Sequence, residues 1–461
     1  MIASRIKRAP LLLLMLAPVA VNAQPLTLDQ CVAIALKESP DAASANYEVA
    51  SAVAKKTSAR GGYSPRLRLD AGVQRWDSTF AVPLFGGIFQ ECPYPNCAWN
   101  YTLNPDGSKH FSILDPFTLR PQWTWSAGAT LVQPIAALWT VSEANHLAKL
   151  GIDVAEIKRK TARRDVAYQV TEAYYRLLQA KRMEDVAQKS VEQVGTQVHR
   201  AKTFFQNGAV ARNDVLRAEL GLAAAQQRLI QARGGVILAR GRLATLMGRA
   251  PDIDIDAVDL ASEPAVTAPV APALAEQRAV DSRLELKEIA AHIDQANGGV
   301  QLAKSKMMPQ VNAVANYTRQ TSSLLGLPKS WFIGATASWD IWEGGSTYYG
   351  IDDSKAQLAQ ALEAKRKTED LIRLDARSAH VGVTTAAEAL DVAKHAVEQA
   401  EENYRIEQRR YESASNTSFD VLDAETQLTS ARGQYQAAIY DYLIAQSNLG
   451  RAMGETIKAA Q

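Results

Sequence analysis

Two hydrophobic periodicities divide the chain into extended and helical segments. Over residues 66–76 apolar and polar side chains alternate, with Leu67, Leu69 and Val73 on one side, which predicts a strand with one apolar face. The predicted strands are 66–76, 123–133, 310–320 and 331–341. The predicted helices are 27–60 (interrupted at Ser39–Pro40), 141–207, 211–248, 272–307, 348–413 and 418–453. The chain is therefore expected to be a mixed α+β protein.

Two of the predicted helices carry a seven-residue repeat of apolar side chains. The repeat positions are Val215, Leu222, Leu229, Val236 and Leu243 in one helix and Val421, Leu428, Tyr435, Tyr442 and Leu449 in the other. A heptad keeps one seam against a partner helix, and the alanines that accompany it allow a close approach. The heptads alone are equally typical of a soluble antiparallel coiled coil of structural type.

The first residues predict a secretory signal peptide. Arg5, Lys7 and Arg8 precede an apolar stretch over 11–21, and Ala23 ends a small-residue cleavage site. The alternative is a membrane anchor, but the apolar stretch is too short to span a bilayer comfortably. No later stretch approaches the ~20 apolar residues of a membrane helix. We therefore expect a periplasmic protein, a secreted protein or an outer-membrane β-barrel.

The second half of the chain repeats the first. Trp125 recurs as Trp331 and Asp214 as Asp420, each 206 positions later. An internal repeat of this length indicates a duplicated structural unit with two strands and two long helices. The predicted organisation is a signal peptide at 1–23, a first repeat at 24–248, a Pro-rich linker at 249–274, a second repeat at 275–454 and a short tail at 455–461.

Composition excludes several classes of function. A formal net charge of +2 and the absence of a Lys/Arg cluster argue against a nucleic-acid partner. No Gly-rich phosphate loop, nucleophile signature or His/Cys metal cluster occurs, so we expect neither an enzyme nor a metal or cofactor site. Cys92 and Cys97 lie in an irregular segment at 77–121 and favour a local disulfide over free thiols in an oxidising compartment. Cys31 is expected to be a small buried residue.

The predicted strands require more than one chain. One chain supplies four, and an open four-stranded sheet leaves two unpaired edges that hydrocarbon does not tolerate. Several chains must then close one barrel, and three chains give twelve strands, an even number within the range of outer-membrane barrels. Tryptophans at or near strand ends predict an interfacial aromatic girdle, with ordinary packing as the alternative. They are Trp76, Trp123, Trp125, Trp331, Trp339 and Trp342.

At this point the chain resembles the TolC-like outer-membrane efflux family. The segments that carry the resemblance are 26–30 (LTLDQ), 205–211 (FQNGAVA), 420–424 (DVLDA) and 440–442 (YDY), together with the duplicated layout. The resemblance implies a homotrimer with a twelve-stranded barrel in the outer membrane of a Gram-negative cell, surrounded by lipid. It also implies a periplasmic tunnel of long coiled-coil helices. The expected partners are a periplasmic adaptor protein and an inner-membrane transporter.

Asp420 and Asp423 lie three residues apart at a helix start, hence on one face. The resemblance places them at the periplasmic entrance of the tunnel, where three chains would form a ring of carboxylates that raise one another's pKa and attract cations. Capping of the helix is the alternative role, and the two can coexist. By resemblance, Tyr411 and Asp214 belong to a tether that keeps the entrance closed, with Asn416 standing where the family has an Arg.

The resemblance further assigns two helix turns to adaptor docking. Their residues are Gly208, Ala209, Val210 and Ala211 in the first turn and Ala414, Ser415, Asn416 and Thr417 in the second, where Ala414 replaces a usual Gly. We therefore expect an exit duct for efflux of drugs or other small toxic compounds. A related alternative is the outlet of a type I protein secretion system, and an unrelated one is a non-channel coiled-coil structural protein.

Overall fold

The computed structural model describes residues 25–82, 101–103, 105, 109–111, 117–321, 328–413 and 415–455. The predicted signal peptide, Cys92, Cys97 and Ala414 lie outside the described residues, as does the tail beyond Glu455. The expected disulfide therefore stays a prediction.

Among its described residues, the first half of the chain contains four α-helices and six strands. They are α1 (Leu28–Glu38), α2 (Pro40–Arg60), β1 (Arg66–Arg75), β2 (Phe80–Val82), β3 (Tyr101–Leu103), β4 (Lys109–Phe111), β5 (Phe117–Arg120), β6 (Trp123–Pro134), α3 (Leu138–Gln206) and α4 (Arg212–Leu246). A short 3₁₀ turn at Gly61–Tyr63 joins α2 to β1. Thr27 caps α1 through a capping box with Gln30, which explains why the helix begins at Leu28.

The second half repeats this order with fewer strands. Its elements are α5 (Pro272–Ser282), α6 (Leu284–Ser305), β7 (Gln310–Gln320), β8 (Lys329–Ser338), α7 (Ser346–Glu412) and α8 (Ser418–Ala452). The outer bounds of these elements differ from those expected from the sequence by at most three residues. Among the described helices, none combines the length and the apolarity that crossing a membrane would require.

The segment at 77–121 differs from the expectation of an irregular loop. Strand β2 pairs with β5, and β3 pairs with β4, each antiparallel. These strands have only three or four residues each. So short a run cannot show a period of two, and the surrounding Pro, Gly and Asn residues dominate the sequence pattern. The prediction was wrong for these short strands.

The four longer strands form one antiparallel sheet in the order β1-β6-β7-β8. Arg75 pairs with Trp123 and Gln310 with Ser338, at opposite ends of the sheet. We call the end where the strands connect to helices the helix end, and the opposite end the loop end. In the described chain β1 and β8 have a strand on one side only, and each of their residues is exposed.

The chain divides into two compact units, and each takes segments from both repeats. Among the described residues, the helical unit contains those up to 48, 157–287 and those from 366 onwards, whereas the sheet unit contains those within 49–156 and 288–365. The repeats are therefore not the compact units, because equivalent helices and strands of the two halves pack together.

In the helical unit, α1 and the linker pack on the middle of the long helices. Leu26 and Ala257 form a parallel bridge, and the Tyr174 hydroxyl donates to the carbonyl oxygen of Val258 at 2.6 Å. Cys31 is fully buried in the same cluster, and burial raises the pKa of its thiol to about 11. Cys31 is thus a small buried residue, as expected from the sequence.

Helices α4 and α8 contact one another. Val215 and Ala218 of α4 are buried in one cluster with Val198 and Ala201 of α3, and Val421 and Ala424 of α8 are also buried. At Gly221 an added Cβ would lie 3.1 Å from a Leu422 methyl carbon. The absence of a side chain at Gly221 thus lets α4 and α8 approach closely at this point, and the expected role of the seam alanines stays a prediction.

An ion network joins α3, α6, α7 and α8 in the helical unit. Arg164 lies 2.8 Å from Glu285, Arg283 lies 3.0 Å from Glu285 and 2.8 Å from Asp375, and Arg451 lies 3.3 Å from Asp375. Burial alone would raise the pKa of Glu285, but the hydrogen bond and charge of Arg164, with the charge of Arg283, outweigh it and lower that pKa to about 2. Glu285 is therefore ionised in the folded protein at all physiological pH values.

Candidate functional site at the helix turns

The turn between α3 and α4 is closed by a glycine in the left-handed region. Gly208 has φ +72°, and the backbone N–H groups of Gly208 and Ala209 donate to Phe205 and Phe204 at 3.0 and 2.8 Å. These bonds satisfy the last carbonyls of α3, which is how helices commonly end at glycine. Gly208, Ala209 and Ala211 are exposed, so the first predicted docking turn is accessible.

The turn between α7 and α8 ends in a capping box. The Thr417 backbone N–H and hydroxyl donate to the Asp420 carboxylate at 2.9 and 2.8 Å. These two bonds, the backbone bond first, lower the pKa of Asp420. Capping, which the sequence left open beside a pore role, is therefore a real function of Asp420.

Asp423 lies one helical turn further along the same face of α8. It is exposed, and it accepts a hydrogen bond at 2.7 Å from Gln427 on the same helix. Phe419, beside the first aspartate, is 58% exposed. The start of α8 therefore presents an aromatic ring and two carboxylates, of which only Asp423 is free of the cap.

Of the three predicted tether residues, Tyr411 and Asp214 lie near each other, whereas Asn416 bonds to a different residue. Tyr411 is buried against Phe204, with ring centroids 5.5 Å apart, and burial followed by the nearby charge of Asp214 raises its pKa. The Tyr411 hydroxyl has no hydrogen-bond partner among the described residues. Asn416 instead donates to Glu407 on α7, at 2.6 Å to the carboxylate and 3.0 Å to the carbonyl oxygen.

Sequence reasoning missed the residue that bonds to Asp214. Ser418, fully buried, places its hydroxyl 3.2 Å from the Asp214 carbonyl oxygen and 3.3 Å from its Oδ1. This contact joins the first turn of α8 to the first turn of α4. No periodic or motif signal marks Ser418, because its partner is 204 positions away.

The sheet has one apolar face and one polar face. Leu69, Val73 and Ile333 lie on the apolar face and are 75%, 71% and 77% exposed. The polar face carries Arg68, Asp70, Gln74, Thr130, Asn316 and Thr318. A soluble domain rarely exposes an apolar sheet face of this extent.

The predicted girdle tryptophans lie at both ends of the sheet, with one exception in orientation. Trp123, Trp125 and Trp331 lie at or near the loop end, and they are exposed. Of the predicted girdle residues, Trp339 and Trp342 follow β8 at the helix end, and both are exposed. Trp76 does not belong with these. Its indole N–H donates to Thr124 on the polar face at 3.0 Å, and Arg120 lies 3.8 Å from its ring centroid.

No group of three or more His, Cys, Asp or Glu side chains is placed to hold a metal ion in the part of the chain that the structure describes. The geometry accordingly offers turns, a helix-start carboxylate pair and a two-faced sheet with open edges.

Comparison with known proteins identifies relatives of the same construction. The family model described as "Outer membrane efflux protein" matches residues 32–249 and 276–455. The outer membrane efflux protein BepC of Brucella suis biovar 1 is 24% identical over 300 residues, covering 62% of this chain and 62% of BepC. The match thus spans less than two thirds of that relative.

Two solved structures share the fold over most of the chain. The CmeC outer membrane channel of Campylobacter jejuni superposes with a TM-score of 0.73 at 18% identity, covering 94% of this chain and 87% of CmeC. The outer membrane protein VceC of Vibrio cholerae superposes with a TM-score of 0.70 at 17% identity, covering 94% and 97%.

Proposed function

We propose, because the chain belongs to the outer membrane efflux protein family, that it forms the exit duct of a tripartite efflux pump. The sheet is the part that lies in the outer membrane, and the long helices lie in the periplasm. Drugs or other small toxic compounds are the proposed cargo, because the family description names efflux. Transport energy comes from an inner-membrane transporter, so the duct itself has no reaction to catalyse.

The observation that carries this proposal is the sheet with open edges and an exposed apolar face. Strands β1 and β8 have unpaired outer edges among the described residues, and Leu69 and Ile333 are largely exposed. In hydrocarbon each unpaired backbone group costs several kcal/mol, of order 4–8 on water-to-alkane scales, so the edges must pair. The β1 edge of one copy pairs with the β8 edge of the next.

Three copies close the sheet into a barrel of twelve strands. An even number of antiparallel strands is the rule for bacterial outer-membrane barrels. The helical part supports the same assembly, because apolar side chains on α7 stay uncovered within one chain. Leu371, Leu374 and Val381 are 54%, 62% and 56% exposed there. Neighbouring copies cover this stripe when the helices form a tunnel.

The start of α8 forms the entrance of the tunnel. Three copies bring together three Asp423 carboxylates and three capping Asp420 carboxylates, which attract cations. The bond between Ser418 and Asp214 and the burial of Tyr411 hold the turns in a closed arrangement. Asn416 contributes by fixing the turn to Glu407 within its own chain.

The two exposed turns dock the periplasmic adaptor. Gly208, Ala209 and Ala211 in one turn and Ser415 and Thr417 in the other are accessible. Photo-crosslinking groups at Ala209 or Ser415 should capture the adaptor in an assembled pump. A fully assembled pump that gives no crosslink from either position would contradict docking at these turns.

Deletion of the coding sequence in the source organism tests the function. It should lower the inhibitory concentrations of hydrophobic drugs and dyes, and the wild-type sequence should restore them. Unchanged drug sensitivity together with loss of a secreted protein would instead support the outlet of a type I secretion system. Membership of the family argues against a non-channel coiled-coil protein.

A further inference from the structure

Two cations face each other directly on the apolar side of the sheet. Arg319 on β7 and Lys329 on β8 are cross-strand partners, and both side chains are exposed. Tyr317 lies two residues before Arg319 on β7, and Trp331 lies two residues after Lys329 on β8. Tyr317 and Trp331 are also cross-strand partners, and both are exposed. Arg319 and Lys329 therefore lie on the face that carries the apolar residues.

This pair is unfavourable unless an anion joins it. Like charges directly opposite each other in a sheet repel and destabilise the pairing. Within the described ranges, neither Arg319 nor Lys329 forms an ion pair or a side-chain hydrogen bond. The segment 321–328, which connects the two strands, contains no Asp or Glu. The missing counter-charge is thus not supplied by this hairpin.

On the β6 side of the pair, the neighbouring side chains are small and apolar. The same row of the sheet continues through Ala127 on β6 to Ala71 on β1. On the loop-end side the next row contains Trp125, and on the other side it contains Trp331. The two cations are therefore bracketed by tryptophans, next to a stretch of sheet covered only by methyl groups.

We propose that Arg319 and Lys329 together bind the phosphate of an anionic lipid in the outer leaflet of the membrane. This rests on the proposed function, which puts the apolar face in lipid. Two cations separated by one strand spacing can share the oxygens of one phosphate by charge-assisted hydrogen bonds. Tryptophan and tyrosine mark the level of the headgroups.

A lipid fits the pair better than a free anion. The alanine surface and the rings of Tyr317 and Trp331 stay exposed around a bound inorganic phosphate, whereas the sugar or acyl part of a lipid covers them. A third cation, Arg75, lies further towards the loop end on the same face, with its guanidinium 5.5 Å from the Trp123 ring. The apolar face therefore offers positive charge to more than one phosphate group of a lipid.

Native mass spectrometry of the detergent-purified protein tests the proposal. The probes are a bisphosphorylated glucosamine lipid (lipid A), its dephosphorylated form, phosphatidylcholine and inorganic phosphate. The variants are Arg319→Gln with Lys329→Gln, the charge-conserving Arg319→Lys, and Arg68→Gln as the matched control. Arg68 is an exposed arginine of the same sheet on the polar face, beside Asp70.

The double variant should lose at least about tenfold in affinity for lipid A, because it removes both charge-assisted hydrogen bonds to the phosphate. Arg319→Lys and Arg68→Gln should bind lipid A nearly as the wild type does. Equal binding of lipid A by wild type and double variant, or equal binding of the dephosphorylated lipid, would overturn the proposal. Binding of inorganic phosphate as tight as that of lipid A would also overturn the choice of a lipid. A protein that does not enter membranes at all would refute the proposed function instead.

Discussion

The buried hydroxyl of Ser418 lies 3.3 Å from Oδ1 of Asp214 and 3.2 Å from its carbonyl oxygen, so one side chain links the first turns of α8 and α4. The two aspartates at these helix starts are equivalent in the internal repeat, yet they act differently. Asp420 caps its own helix, whereas Asp214 accepts a bond from the other helix. The bond between Ser418 and Asp214 thus links the second repeat to the first within one chain, and we call it the α8–α4 lock.

Ser418→Ala should weaken this lock. The variant loses one hydrogen bond to a carboxylate, and we expect the free energy of unfolding to fall by about 1–2 kcal/mol. The single-channel conductance of the resting duct should rise, because the α8 turns are held less firmly. Ser430→Ala, at an exposed serine of the same helix, is the control. Thermal unfolding and conductance identical in both variants would argue against a lock at Ser418.

Asp423→Asn tests the proposed ring of carboxylates without damaging the helix cap. The variant removes a charge but keeps the side-chain shape, and the Thr417–Asp420 capping box stays intact. We expect the preference for cations over anions to fall in planar-bilayer recordings. The control is Asp391→Asn on α7, an aspartate whose side chain is 76% exposed. Ion selectivity that is unaffected by Asp423→Asn would refute the ring at this position.

Acid should weaken the helical unit through Glu285. Its pKa of about 2 in the folded protein is below the usual value of 4.5, so the ionised form favours folding. This contribution is fully present above about pH 4.5 and is lost as the pH falls towards 2. Unfolding temperatures of the detergent-purified protein between pH 7 and pH 2.5 measure it.

Glu285→Gln provides the comparison for that measurement. Because the substitution breaks a partly buried ion pair, it should lower the free energy of unfolding by about 2 kcal/mol at pH 7. The further loss of stability on acidification should be smaller in the variant than in the wild type. Glu398→Gln, whose side chain is 64% exposed, serves as the control. A variant with wild-type stability at pH 7 and the wild-type pH profile would show that Glu285 has no such role.

The two faces of the sheet should respond differently to an added charge. Leu69→Lys puts an ammonium group on the apolar face, where a lysine near the middle of a bilayer costs about 2–4 kcal/mol. Gln74→Lys puts the same group on the polar face of the same strand. We expect the first variant to be depleted from outer-membrane fractions and the second to be retained. Equal amounts of both would contradict the assignment of the faces.

The long helices and the four longer strands could be predicted from the sequence because their hydrophobic patterns are periodic. Alternation over 66–76 and the heptads of α4 and α8 each reflect one buried or apolar face. The strands of β2 to β5 were missed because three or four residues cannot display a period. The two compact units were also missed, since the sequence repeat does not indicate which segments pack together.

The candidate site was less accessible, because its contacts join distant positions. The capping role of Asp420 was foreseen from its place in the first helical turn. The bond from Ser418 to Asp214 was not, and neither was the attachment of Asn416 to Glu407. Trp76 was assigned to the girdle from its position after β1, but its direction depends on the hydrogen bond to Thr124.

Disulfide crosslinking of the sheet edges tests the central claim most directly. In a cysteine-free background, Leu69→Cys on β1 is combined with one cysteine at a time at Trp331, Ile333, Ala335 or Ala337 on β8. The control combines Leu69→Cys with Ala129→Cys, which are partners within one chain and crosslink without joining copies. If copies pair edge to edge, at least one β8 position should give covalent dimers and trimers of the membrane-inserted protein. A chain that stays monomeric at every β8 position, while the control pair crosslinks, would contradict a barrel shared by three copies.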